Sequence, residues 1–291
     1  MTKLKTLLKI TCPEAHSDLI SCLLIEAGSA GVEERDASTM TAAVETLTEI
    51  IAGFETGEDE AAEIARGALD ALPFPVSPLT VELLGDIGDE WKTKWRAFFS
   101  PQVLSKLQVI TPWMKPPRTD RISIVIDPGQ AFGTGGHNTT RLILEMLEAR
   151  AEAGTLARRA ADIGSGSGIL AIAARKLGTE EVIGVDIEKE AVDAFFENAE
   201  RNGVLTGLDC KLGSASALEG TWPLVLANIQ IDVFRIVAQE VAALVEPGGE
   251  VLISGLLLDQ VDECLSLFSG FSVAERRESG EWAALALIRD P

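Results

Sequence analysis

The chain has 291 residues, 46% hydrophobic and 24% charged, which is enough for two packed domains and excludes wholesale disorder. A formal net charge of −20 repels phosphate backbones, so it disfavours a general nucleic-acid binder and suits a basic partner. Cysteines at 12, 22, 210 and 264 and histidines at 16 and 137 keep no metal-ligand spacing; no metal is expected, and the cysteines read as reduced thiols of a cytoplasmic protein.

The first segment has lysines at 3, 5 and 9 but no long apolar stretch, unlike a secretory leader. Residues 4–11 predict a strand. A helix follows, with Pro13 near its start, Leu19, Ile20, Leu23, Leu24 and Ala27 on one face, and Gly28 at its end. GVEERDA and LTEIIAGFE predict two strands, EDEAAEIARGALDAL a second helix and LTVELLG a last strand. This β-α-β-β-α-β order matches the ferredoxin-like pattern and assigns residues 1–85 to an α+β domain. Residues 86–117 read as an ordered linker. Its amphipathic helix DEWKTKWRAFF carries Trp91, Trp95, Phe98 and Phe99 for packing, and Pro112, Pro116 and Pro117 end it.

From residue 118 short apolar strands alternate with helices. RISIVID, RAADIG, EVIGVDI, PLVLANI and GEVLISG predict a parallel sheet covered on both faces. FSVAERRES and EWAALALIR then face each other across Gly280 as a hairpin. The longest apolar run, near residues 251–258, is broken by Ser254 and Gly255, so no membrane span is expected.

Four segments of this second domain carry chemistry. In AADIGSGSG, a strand ends at Asp162 and Gly164, Gly166 and Gly168 let backbone approach a ligand before a helix whose first N–H groups are free. The G-x-G-x-G spacing differs from the G-x-G-x-x-G that admits a pyrophosphate. Asp186 ends the next strand, 18 residues after Gly168, where a carboxylate accepts both hydroxyls of a ribose. Glycine loop and acid together point to a nucleoside without separating S-adenosylmethionine from NAD. Ser214 stands where such folds meet an adenine ring. Asn228 ends LVLAN; its amide oxygen can orient an amine but is no strong base. Finally, DPGQAFGTGGHNTT holds four glycines in 14 residues, a loop that something must hold. It carries His137 and leads to Thr139 and Thr140 at a helix start, where a carboxylate can bind.

Taken with DIGSGSGILAIAARKLG, VIGVDIEKEAVDAFFENAERNGV and LVLANI, this last loop resembles the ribosomal protein methyltransferases that modify protein L-eleven of the large subunit. Order, spacing and total length agree. So do DEWKTKWRAFF, the Pro112–Trp113 pair and SGLLLDQ, and the resemblance is close over residues 86–265. It implies a class I methyltransferase domain over 118–291: a Rossmann-like α/β fold with a mostly parallel seven-stranded sheet and a terminal antiparallel hairpin, which plain dinucleotide folds usually lack. It also implies S-adenosylmethionine contacts at Thr140, Gly164, Gly166, Asp186 and Asn228, with Asn228 as the catalytic residue. The N-terminal domain would capture a basic ribosomal protein and methyl groups would pass to its N-terminal α-amine and lysines. Gly136 and Asn138 stand where the family loop usually has Thr and Pro, Ser165 replaces a cysteine, and Gln230-Ile231-Asp232 replaces Leu-Ala after Ile229. The last change lies beside the acceptor and bears on the target more than on the cofactor. The competing expectations are another protein or small amine as acceptor, a non-catalytic binding module, and a nicotinamide-dependent oxidoreductase.

Overall fold

The computed structural model describes residues 6–13, 16–29, 31–36, 47–72, 74–86, 100–127 and 137–291. The chain divides into two compact units between Ser100 and Pro101.

The first unit runs β1 (Thr6–Pro13), α1 (Ser17–Glu26), β2 (Gly31–Asp36), β3 (Leu47–Phe54), α2 (Glu58–Asp70) and β4 (Thr80–Asp86). Its sheet has the order β2-β3-β1-β4 with every neighbour antiparallel. Period-two alternation puts Leu8, Ile10 and Cys12 of β1 and Ile50, Ala52 and Phe54 of β3 on one face. Ile20 and Leu24 of α1 and Ala61, Ala65 and Ala68 of α2 complete that core. Each large aliphatic side chain so buried contributes roughly 1.5–3 kcal/mol. Glu58, Asp59 and Glu60 in the first turn of α2 complement the positive end of its dipole.

The second unit opens with β5 (Gln102–Val103), β6 (Leu107–Ile110) and β7 (Ile122–Val125). They form a separate three-stranded sheet, antiparallel between β5 and β6 and parallel between β6 and β7. The expected linker is thereby divided. Its aromatic helix, 91–99, lies outside the described residues, and residues 102–110 are strands of the second unit.

The rest alternates as α3 (Asn138–Ala153), β8 (Arg159–Ile163), α4 (Ile169–Leu177), β9 (Glu181–Asp186), α5 (Lys189–Arg201), β10 (Leu208–Leu212), β11 (Trp222–Asn228), α6 (Ile231–Leu244), β12 (Val245–Leu257), α7 (Val261–Leu267), β13 (Phe271–Ser279) and β14 (Trp282–Arg289). The seven strands lie in the order β10-β9-β8-β11-β12-β14-β13. The five from β10 to β12 are parallel, and β14 and β13 close the sheet antiparallel. This is the mostly parallel sheet with a terminal hairpin that the sequence predicts, with one exchange of strands. RISIVID, expected in this sheet, is β7 of the small one, and the segment around Cys210 takes the edge place as β10.

The exchange goes with contacts from residues distant in the chain. The edge of β7 away from β6 is occupied by the amide of Asn202, the C-cap of α5. Val125 N–H donates to Asn202 Oδ1 at 2.9 Å, and Asn202 Nδ2 donates to Val125 O at 2.6 Å, which mimics a ladder partner. Lys176 of α4 donates to Ser123 O at 2.6 Å. Buried Glu148 of α3 ties down the β5–β6 turn, accepting from Lys106 N at 2.7 Å, Leu107 N at 2.6 Å and Ser105 N at 3.2 Å.

The chain order reverses between β8 and β11, which opens a crevice at the carboxyl ends of the parallel strands where open α/β sheets place ligands. Asp162, Asp186 and Asn228 all stand at that end.

Candidate functional site

The glycine loop runs from the end of β8 into α4. Gly164 N and Ser165 N both donate to Val185 O, at 2.9 and 3.0 Å, and Gly168 N donates to Ser165 O at 2.8 Å. Gly164 and Gly168 have φ of +67° and +79°, the left-handed region in which side chains are strained. A Cβ at Gly164 would stand 2.6 Å from Ile229 Cγ2, and one at Gly168 2.7 Å from Phe195 Cδ2. At these two positions the requirement for glycine is therefore met by the protein's own packing, where the sequence suggested room for a ligand. Gly166 plays another part: its N–H donates to Asp186 Oδ2 at 2.8 Å, joining the loop to the next strand end. Ser165, in place of the family cysteine, lies with its hydroxyl 3.5 Å from the Cys210 thiol. Burial pushes that thiol up to about 11.

Beneath the loop, Asp162 is 1% exposed. Oδ2 accepts from Ala171 N at 3.2 Å, while Oδ1 has no partner. Burial pushes its carboxyl up to about 7; the Ala171 hydrogen bond opposes this and the nearby Asp186 charge adds to it.

Asp186 is fixed by two backbone groups, Gly166 N on Oδ2 and Glu188 N at 3.0 Å on Oδ1. Each oxygen keeps a second lone pair, so the carboxylate is both oriented and able to accept further donors. Two large apolar side chains flank it, unmarked by the sequence reading. Ile187 is 76% exposed and Leu212 of β10, which pairs with Asp186, is 58% exposed. Ser214 is already engaged, 2.7 Å from Ser216 Oγ and donating to Glu240 Oε2 at 3.2 Å.

Asn228 meets Thr140 directly. Its Nδ2 donates to Thr140 Oγ1 at 3.1 Å, so two residues 88 apart in sequence, singled out separately, are joined. That bond fixes the amide's orientation and leaves Asn228 Oδ1 buried with no partner. Thr140 is fully buried in the first turn of α3. That turn is capped by His137, whose Nδ1 accepts from Thr139 N at 3.3 Å and lies 2.8 Å from Thr139 Oγ1. Accepting requires an imidazole with Nδ1 unprotonated. The remainder of the glycine-rich loop, 128–136, lies outside the described residues.

Asn198 of α5 was also missed. It is 1% exposed; its Nδ2 donates to Ser167 O at 2.9 Å and its Oδ1 accepts from Asp127 N at 3.1 Å. It thus bonds the glycine loop to the residue at which the second loop begins, and Arg201 reinforces the join with an ion pair to Asp127 at 3.2 Å. The clue lay in ENAERN, two asparagines four apart on one helical face.

Comparison with known proteins shows the family of the chain. The model of the family described as "Ribosomal protein L11 methyltransferase (PrmA)" matches residues 6–290. A protein named "Ribosomal protein L11 methyltransferase" from Sorangium cellulosum is 35% identical over 264 residues, 89% of this chain and 81% of that protein. One of the same name from Geobacter metallireducens is 35% identical over 302 residues, covering 97% of each. Among solved structures, a "ribosomal protein L11 methylase" from Lactobacillus delbrueckii subsp. bulgaricus superposes with a TM-score of 0.59 at 30% identity, over 66% of this chain and all of that one. With a family model spanning both units and relatives of like length, nothing favours a nicotinamide-dependent oxidoreductase: the chain belongs to the ribosomal protein L11 methyltransferase family.

Proposed function

We propose that this chain transfers methyl groups from S-adenosylmethionine to amines of ribosomal protein L11, on lysine side chains, the N-terminal α-amine or both. The observation that carries this is the Asn228–Thr140 hydrogen bond, which leaves a buried, unpartnered amide oxygen at the carboxyl end of β11, beside the glycine loop. The bound donor supplies an electrophilic methyl on a sulfonium. The residues fit that group. Asp186 has lone pairs for the ribose hydroxyls, Ile187 and Leu212 offer apolar surface for a flat base, Gly164 and Gly166 line the turn, and the capped start of α3 at Thr140 suits a carboxylate.

The acceptor must arrive as a neutral amine. A lysine of ordinary pKa about 10.4 is roughly 0.04% neutral at pH 7, a handicap near 4.6 kcal/mol, and an α-amine near pKa 8 starts with far less. Asn228 cannot take the proton. Its Oδ1 accepts an N–H of the neutral amine and so directs the lone pair, a positioning effect. The nitrogen–carbon bond forms as the carbon–sulfur bond breaks, and the amine's proton goes to solvent. The acidity of the chain favours a basic protein and no direct nucleic-acid specificity. Four buried cysteines, none of them in a disulfide, suit the cytoplasm, where ribosomal proteins reside. Residues 1–85 would recruit the substrate, with 86–100 joining them to the methyltransferase domain that begins at Pro101.

The test is incorporation of labelled methyl into purified ribosomal protein L11, read by mass spectrometry. Absence of incorporation by protein that binds the donor would overturn the substrate. Asn228→Ala should lower the single-turnover rate about a hundredfold, the scale of a lost positioning contact.

A further inference from the structure

The role given above to Asn228 depends on where Thr140 holds it, and the structure holds Thr140 from an unexpected side. Trp282 is the first residue of β14, in the terminal hairpin. It is 3% exposed, and its Nε1 is buried without a hydrogen-bond partner. A buried orphan donor is a standing cost, so the indole is not explained by polar bonding. What its ring does meet is His137, edge to face, with centroids 4.8 Å apart and planes at 70°. His137 is the N-cap of α3, and its Nδ1 accepts from Thr139 N. Thr140, the next residue, receives the hydrogen bond from Asn228 Nδ2.

Resting on that role of Asn228, we propose that Trp282 is a positioning residue for methyl transfer. It acts through His137 and the first turn of α3 to fix Thr140, and through Thr140 the amide of Asn228. The chain of contacts is short, and each link removes one freedom. The tryptophan edge sets the imidazole plane, and the plane aims Nδ1 at the Thr139 N–H. The capped turn fixes the Thr140 hydroxyl, which takes the amide's N–H and so settles where its oxygen stands. Helix first turns fray without a side-chain acceptor. With Thr140 loosened, Asn228 could rotate about its side chain and present the wrong end of its amide to the amine. An amide nitrogen cannot accept the amine's N–H, so the error falls on turnover more than on binding.

The experiment compares kcat, KM for ribosomal protein L11, donor affinity and thermal stability in four variants of the full chain. Trp282→Leu keeps apolar volume but removes the ring; kcat should fall at least ~10-fold, with KM and donor Kd within about threefold. Trp282→Phe keeps an aromatic edge for His137 and should recover most of kcat. His137→Asn keeps a capping acceptor without the ring contact and should lie between wild type and Trp282→Leu, which keeps the question answerable if Trp282→Leu fails to fold. Asn228→Ala separates the two ideas. If it turns over at the wild-type rate, the role of Asn228 is wrong. If it is slow while Trp282→Leu or His137→Asn is not, Asn228 stands and the positioning chain falls. A Trp282→Phe variant as slow as Trp282→Leu would also overturn it, because an aromatic edge against His137 would then not be what matters.

Discussion

Asp162 sits in an environment at odds with its chemistry. A carboxyl pushed up to about 7 by burial binds a proton in the folded chain over a range where the unfolded chain has lost it, from about 4 to about 7. The folded state therefore holds more protons there, and stability falls as pH rises through that window and levels off above it. The full span is worth up to ~4 kcal/mol. Asp162→Asn removes the titration while an amide oxygen can still accept from Ala171 N. Urea unfolding at pH 5 and pH 8 should show a smaller drop for Asp162→Asn than for the wild type; parallel profiles would refute it. Among single residues the sequence was informative where a position has one evident use. Asp186 and Asn228 stand at the strand ends where they were expected. Gly164 and Gly168 were legible as glycines but not in their reasons, because the Ile229 and Phe195 contacts that forbid a Cβ join segments distant in the chain. Asp162 shows the same limit, since burial is a property of the neighbours.

At the scale of elements, period and punctuation located most helices and strands, missed β5, β6 and α7, and failed at the choice of sheet. RISIVID has the same apolar alternation as the strands of the large sheet, and nothing local says which neighbour it takes. That choice goes with Asn202 and Asn198, some 75 residues onward: the first amide occupies its free edge and the second holds Asp127 beyond its end. Asn198 has a second consequence, because the same side chain holds Ser167 O of the glycine loop. Asn198→Leu is near in size but cannot bond, leaving Ser167 O and Asp127 N without this partner in a buried setting at roughly 1–3 kcal/mol. Two effects should appear together: a lower midpoint in denaturant, and donor affinity weakened several-fold in calorimetry. Loss of stability with unchanged affinity would confine Asn198 to holding β7.

At the scale of the molecule, every element placed at the nucleoside site lies after Pro101: the glycine loop, Asp186, Asn228 and the capped start of α3. The second unit has its own core, from Ala161 and Val225 through Phe234 and Val241 to Leu285, while the first is built on Leu8, Ile10, Ile50 and Phe54. Two cores and one nucleoside site imply that donor binding and substrate capture are separable. A chain of residues 101–291 should bind S-adenosylmethionine within about threefold of the full protein, since no proposed donor contact is lost. Its kcat/KM for ribosomal protein L11 should fall at least ~10-fold, equal to about 1.4 kcal/mol of lost recognition. The loss should lie in KM, because capture by a separate domain raises the local concentration of the acceptor without altering the reacting geometry. A free amine substrate too small to span both units provides the control. Its turnover, however slow, should be equal in the two proteins. If the truncated chain methylates the ribosomal protein with unchanged KM, residues 1–100 do not recruit it. If instead the donor no longer binds, the second unit does not stand alone and its site depends on the first.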